Sequence, residues 1–448
     1  MTSAHPGAPP AQHGAEPAAA PDADDEAMSG GLMSRALGAM ADRNFRMLYL
    51  GNMLQFGSQQ MQLLVRGYLV FQLTGSYAWL GTMALANAVP GVLLSPVGGI
   101  LADRAPKKTI IQIAQGFNAV NAAVLALLAA GVIGIELQVW HLFLSSFLQG
   151  GVNSIMMPSR QSIISDLVGP KRLMNAISVQ ASGQTLMQLL GPAAGGFLIK
   201  FLSPSAVFWT MAGMYALAVT FTMRLPAHPL FSYERHASVP TDRPRRRRAR
   251  GSLSDIGDGM AYVWHDPVLR ALIAVNFLIV IVAMPYTMLL AGFVESVLHQ
   301  DGFALGMLST AQGVGALAGS FVVASARPAR RGRMMIGWGA FLGVTIIAFA
   351  ISTNYWLTMG IMVLVGAGQA GRMAIGQVLI QTYAADEYRG RVTAVWFMQF
   401  SMVQFGTFFV GLLSEAVGPQ WAIGGLAGLM VIAMGLVFTL VPRMRDLD

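Results

Sequence analysis

From Met47 to Leu440 the chain alternates long apolar runs with short polar punctuation. The runs have roughly the 20-residue length that a helix needs to cross a bilayer. They predict helices at 47–70, 79–101, 110–132, 140–157, 176–199 and 206–223. After a polar interval they predict six more, at 268–290, 304–324, 334–351, 356–374, 392–413 and 421–440. The expected architecture is an all-α membrane protein with twelve transmembrane helices in two six-helix, pseudo-repeated halves. Residues 45–224 form the first half and 268–442 the second, joined by a basic linker at 225–267. Residues 1–44 are rich in Ala, Pro and Gly, with acidic Asp22, Asp24, Asp25 and Glu26, and read as a disordered tail; 443–448 form a C-terminal tail. The N-terminal tail lacks the basic start and apolar stretch of a signal peptide.

Composition supports the membrane assignment. Apolar residues make up 54% of the 448 and charged residues 11%, against about 25% charged in a soluble domain. So few charges cannot clothe a water-facing surface of this size. The net charge of +8 is sorted by turn. One set of turns carries Arg104, Lys107 and Lys108, then Lys171 and Arg172, then Arg235 to Arg250, then Arg327, Arg330, Arg331 and Arg333, then Arg389 and Arg391. The alternate set carries Lys200 beside Glu136, Glu295, Asp301 and Glu415. By the positive-inside rule the first set is cytoplasmic, and both termini with it. Trp79, Trp140, Trp209, Trp356 and Trp421 fall near the outer starts of even-numbered helices, where amphipathic rings favour the interface. The arginines from Arg243 to Arg250 then read as a linker beside anionic lipid headgroups rather than a nucleic-acid site. Leu253, Ile256, Met260 and Val263 follow at near-helical spacing, as in a helix lying on the inner membrane surface.

The chain has no Cys, so disulfides, thiolate metal sites and a Cys nucleophile are excluded. It has no G-x-x-x-x-G-K-[ST] loop and no metal or cofactor signature. Nor does any nucleophile with a base stand within a span, which argues against an enzyme. The basic turn after helix 2 recurs after helix 8, and Lys171-Arg172 after helix 4 recurs as Arg389 and Arg391 after helix 10. Parallel repeats of this kind are a recognised transporter arrangement.

The stretch Gly98-Gly99-Ile-Leu-Ala-Asp103-Arg104-Ala-Pro-Lys107-Lys108 resembles the cytoplasmic loop signature of the major facilitator superfamily. Pro106 stands where that loop usually has Gly, and the second copy lacks the Asp. The resemblance covers Asn44 to Pro442 and implies that Gly99, Asp103, Arg104, Lys107 and Lys108 belong to a gating loop. Arg66-Gly-Tyr-Leu-Val-Phe-Gln-Leu-Thr74-Gly75-Ser76, Pro158-Ser-Arg160-Gln161 and Arg389-Gly-Arg391-Val resemble the branch related to enterobactin exporters and bacterial efflux pumps. Gly191, Pro192, Gly195 and Gly196 resemble part of the fifth-helix motif of drug antiporters; Gly and Pro at a helix seam also serve packing alone. The resemblance implies a monomeric transporter in a bacterial inner membrane that exports a small amphipathic molecule (drug-like, siderophore or metabolite) in exchange for protons. Uptake of an organic anion or lipid-like solute, and a non-transporting sensor or scaffold, are the alternatives.

Ionisable residues inside a membrane are costly and therefore functional candidates. No Asp or Glu stands near the middle of a predicted span, which leaves Arg66 and Arg372. Gln55, Gln59, Gln62 and Arg66 follow at i, i+4, i+7 and i+11 and share one helix face, expected to line a substrate cavity. Arg66 reads equally as a substrate contact and as an arginine tying helices together. Arg372, among Gln369, Gln377 and Gln381, is expected in the cavity or with its head snorkelling to the interface. Two cations without a central acid favour a neutral or anionic ligand. The carrier of a proton is not visible, since Ser146 stands where many antiporters place a fourth-helix arginine. Most of the 29 Met read as packing or lipid-facing residues, with some suited to a pocket that repacks.

Overall fold

The computed structural model describes residues 40–448 apart from 133, 227, 229, 232–251, 326–329, 386, 446 and 448. The tail up to residue 39, the basic run Arg235 to Arg250 and Arg327 lie outside the described residues. Among the described residues the chain is helical, with no strand. The first group is α1 (Arg43–Thr74), α2 (Tyr77–Arg104), α3 (Lys107–Ala129), α4 (Val139–Leu167), α5 (Pro170–Phe201) and α6 (Pro204–Met223). Then come α7 (Ser252–His265), α8 (Pro267–Ala283), α9 (Tyr286–Ser296), α10 (Gly302–Ser325), α11 (Arg331–Ile351) and α12 (Tyr355–Tyr383). The chain ends in α13 (Arg389–Phe397), α14 (Gln399–Val417), α15 (Pro419–Leu440) and α16 (Pro442–Arg445).

Local chemistry sets the starts. Side chains of Asp42, Ser76, Ser203, Asp266 and Asn354 accept backbone N–H bonds at the first turns of α1, α2, α6, α8 and α12, satisfying donors that have no partner within the helix. Gly75, at φ 62°, takes the left-handed position that ends α1. Nine of the described segments are long and apolar enough to cross a membrane, α8–α9 and α13–α14 each counting as one. The long helices α1, α4 and α5 are more polar, and α1 and α4 carry most of the site described below.

The helices differ from the apolar runs in instructive ways. Helix α4 does not stop at Met157 but continues through Pro158 to Leu167, and α5 begins at Pro170 rather than Ala176. Both extensions are polar, so hydropathy cannot see them. The run 268–290 is broken at Met284-Pro285, because a proline has no N–H to give and crowds the preceding turn. The run 392–413 extends to 389–417, with a break at Met398.

Helices α2 and α4, α3 and α6, and α1 with both α5 and α6 pack within the first group; α10 with α12 and α11 with α12 and α15 pack within the second. The two main seams between the groups are α5 with α10 and α2 with α14, and α9 also packs on α1 and α2. Backbones meet closely at both main seams. A Cβ on Gly306 would lie 2.6 Å from the Pro192 carbonyl, and one on Gly81 would lie 2.9 Å from the Phe408 Cα. Small residues are what such approach requires. At one end of the α2–α14 seam, Glu415 Oε2 accepts from the Tyr77 and Ala78 N–H groups (2.8 and 3.3 Å) and from Ser76 Oγ (3.1 Å). The carboxylate thus caps the start of α2 from the other group, where a helix N-terminus favours negative charge. Nearby, Lys200 stands 3.9 Å from Asp301 across the α5–α10 seam. The short α7 docks on α13, with Tyr262 stacked on Tyr388 at 4.3 Å.

Candidate functional site

Helix α1 positions the centre of the site. Gln59, Gln62 and Arg66 reach a cavity of about 240 Å³, joined there by Met83 and Asn87 of α2, Gln149 and Asn153 of α4, Met288 of α9 and Gln404 of α14. The cavity therefore lies between the two helix groups. Arg66 is 9% exposed. Its Nη2 donates to Ser145 Oγ (3.2 Å) and to Gln149 Oε1 (3.1 Å). Ser145 Oγ also accepts from Asn121 of α3 (2.9 Å). Gln149 Nε2 donates to Gln62 Oε1 (2.5 Å), which accepts in turn from the Tyr215 hydroxyl of α6 at 3.5 Å. Asn118 of α3 donates to Asn153 (3.2 Å), extending the network along α4. Every partner in this web is neutral. Each Asp and Glu of the spanning helices stands within the last turn of its helix, and none pairs with Arg66.

The other members of the predicted stripe go elsewhere. Gln55 is fully buried and is not part of the cavity wall. Arg372 is also outside it, and the expected snorkelling does not occur. The side chain is 2% exposed and its Nη1 donates to Asn276 of α8, whose amide donates onward to Gln399 of α14 (3.4 Å). A buried amide competes successfully with the distant interface for this guanidinium. Gln369 joins a separate bridge, accepting from Gln312 of α10 (2.8 Å) and from the Tyr286 hydroxyl (3.3 Å).

A third interior cation, Arg160, is missed by reading the fourth span as ending at Met157. In α4 it is 5% exposed, donates from Nε to Asn52 Oδ1 (3.0 Å) and lies over the Phe56 ring at 3.7 Å. The signal was present, because Gln149, Asn153, Met156 and Arg160 repeat the i, i+4, i+7, i+11 spacing of the α1 stripe. Asn118 and Asn121 continue a polar residue at every third position from Gln112 and Gln115, and Ser145 is paired with Ser146; these signals were also readable in the sequence.

The gating-loop residues lie at the end of the bundle opposite Glu415. Lys107 pairs with Asp166 at the end of α4 (2.7 Å). Lys108 donates to the Met223 and Leu225 carbonyls (2.9 and 2.6 Å), where cations suit a helix C-terminus. These contacts stay within the first group. Arg104 is exposed, Gly99 has open space where a Cβ would stand, and the Asp103 side chain lies outside the described residues. Of the fifth-helix motif, Gly196 meets Gly306 closely across the seam, Pro192 offers its carbonyl there, Gly191 packs on Gln60, and Gly195 makes an ordinary contact with Leu64.

A family model described as transmembrane secretion effector matches residues 34–448. The chain is 25% identical over 394 residues to the multidrug efflux pump Tap of Mycolicibacterium fortuitum, covering 85% of this chain and 91% of that one. It is 25% identical over 362 residues to the enterobactin exporter EntS of Shigella flexneri, covering 78% and 80%. Among solved structures, a bacterial homologue of the lysosomal transporter Spinster, in an inward-facing and unoccupied conformation, superposes with a TM-score of 0.68 at 14% identity over 90% of this chain and 97% of that one.

Proposed function

Because the chain belongs to the transmembrane secretion effector family of major facilitator transporters, we propose that it exports a small amphipathic compound in exchange for protons. It is a multi-pass membrane transporter and not an enzyme. In this reading twelve spans form two six-helix halves, 45–224 and 268–442, that rock about the cavity. The linker at 225–267 and both termini face the cytoplasm, and the protein works as a monomer in a bacterial inner membrane. The observation that carries the reading is the position of the cavity. Its wall draws Gln59, Gln62 and Arg66 from one half, and Met288 and Gln404 from the other. A site shared by two moving bodies can be exposed to either side in turn. The efflux relatives support the direction of transport. The gating loop would brace the cytoplasmic ends of α4 and α6 through Lys107 and Lys108, with Asp103 and Arg104 completing it; Pro192 and Gly196 would form the sliding seam, while Gly191 and Gly195 hold α5 on α1.

The test is flux in proteoliposomes with an imposed pH gradient. Solute movement opposite to the proton gradient, collapsing with a protonophore, is the expected outcome; movement with the proton gradient would make the protein an importer.

A further inference from the structure

We infer that the cavity is a binding site for an anionic group, a carboxylate or its sulfonate or phosphate equivalent, held by Arg66. The inference rests on the proposed transport reading and names the substrate's chemistry.

Three observations converge on an anion. The first is charge. Arg66 is buried among neutral partners, and no Asp or Glu lines the cavity wall. A buried cation of this kind costs desolvation that no carboxylate among the described residues offsets by pairing with it. The second is the direction of the hydrogen bonds. Gln149 gives its carbonyl oxygen to Arg66 and its amide hydrogens to Gln62, and the Gln62 oxygen is further engaged by Tyr215. The fully buried atoms of Arg66 and Gln62 that lack a partner, Arg66 Nε and Gln62 Nε2, are both donors, so neither residue holds an unsatisfied buried acceptor. A cavity bordered by a positive charge, with no acid in its wall, favours a ligand rich in acceptors. A carboxylate supplies several lone pairs and matches the planar guanidinium fork, while a cationic ligand would meet Arg66 as a like charge. The third is size. About 240 Å³ falls below the roughly 300–1,000 Å³ of pockets that enclose drug-sized ligands. The site thus fits a charged head group, with the rest of an amphipathic molecule lying between the halves. Met83 of α2 and Met288 of α9, one from each helix group, are adaptable partners for that apolar remainder.

The test uses three probes that share a fluorophore and differ in charge: dansylglycine, dansylamide and dansylcadaverine. Binding is titrated on the full-length protein in nanodiscs, with empty nanodiscs subtracted. Dansylglycine is expected to bind roughly tenfold more tightly than dansylamide, about 1.4 kcal/mol, and dansylcadaverine more weakly than either. Arg66→Gln should bring dansylglycine and dansylamide to the same affinity, with the melting temperature in the same nanodiscs reporting that the variant is folded. Arg66→Lys should retain part of the preference, as a charge without the fork. A wild-type preference for dansylcadaverine, or no preference among the three, would overturn the proposal even if Arg66→Gln failed to fold; so would an undiminished anion preference in Arg66→Gln. The proton dependence of flux is a separate measurement, so failure of the antiport reading leaves this comparison intact.

Discussion

The three interior arginines have the same side chain and different surroundings, and these predict different consequences of mutation. Arg66 borders a cavity, whereas Arg372 is closed into the packing of α8, α12 and α14 with Asn276 as its partner. Arg372→Met is expected to leave the Asn276 oxygen without that donor and to cost about 1–3 kcal/mol of stability, read as a lower melting temperature in detergent. Adding Asn276→Leu should recover part of the loss, since it removes the orphaned oxygen but leaves the Gln399 oxygen without its donor. Binding of the dansyl probes to the folded fraction should be unchanged in both variants. If Arg372→Met instead abolished anion binding with the melting temperature intact, Arg372 would be a ligand contact. Hydropathy and period were enough to mark Arg66 and Arg372 as interior, because each interrupts an apolar or Gln-striped run. They could not separate the two, since whether a guanidinium faces a void or an amide depends on which helix packs opposite. Arg160 was hidden for another reason: a proline and a polar stretch ended the visible run before it, and only tertiary packing carries α4 onward.

At the scale of elements, the two seams rest on different chemistry. The α5–α10 seam depends on backbone approach at Pro192, Gly196 and Gly306. The α2–α14 seam adds the Glu415 cap on α2. Glu415→Gln keeps the shape but removes the charge that faces the helix N-terminus, weakening three charge-assisted bonds that span the groups. The chain has no Cys, so single introduced cysteines near the seam report directly on opening. A Cys at Ser414, buried on α14 beside Glu415, is expected to react faster with a water-soluble maleimide in the Glu415→Gln background than in the wild type. An unchanged rate would mean that the cap does not hold this end closed. Glu415 was legible only as an acid in an outer turn. Its partner is more than 300 residues away in the chain, and no local pattern encodes such a pairing. The breaks at Pro285 and Met398 divide in the same way: proline announces the first, and nothing in the local sequence announces the second.

At the scale of the molecule, the proposed rocking of two bodies predicts which cross-links stop turnover. The Cβ of a residue at 313 would stand 3.6 Å from that of residue 189 across the α5–α10 seam, and the Cβ of a residue at 51 would stand 3.5 Å from that of residue 221, within the first group. Both separations suit a disulfide, for which Cβ atoms lie about 3.5–4.5 Å apart. Oxidising the pair Leu189→Cys with Gly313→Cys should tie the two groups together where they must part, and flux should fall to background and return with reductant. The pair Gly51→Cys with Phe221→Cys joins α1 to α6 inside one body, and flux should survive oxidation. The inner pair controls for the chemistry, because it adds the same bond to the same protein without crossing the seam. If the seam cross-link formed quantitatively and flux continued, the halves would not need to separate along α5 and α10, and access to the Arg66 cavity would have to come from motion of single helices such as the broken α8–α9 segment.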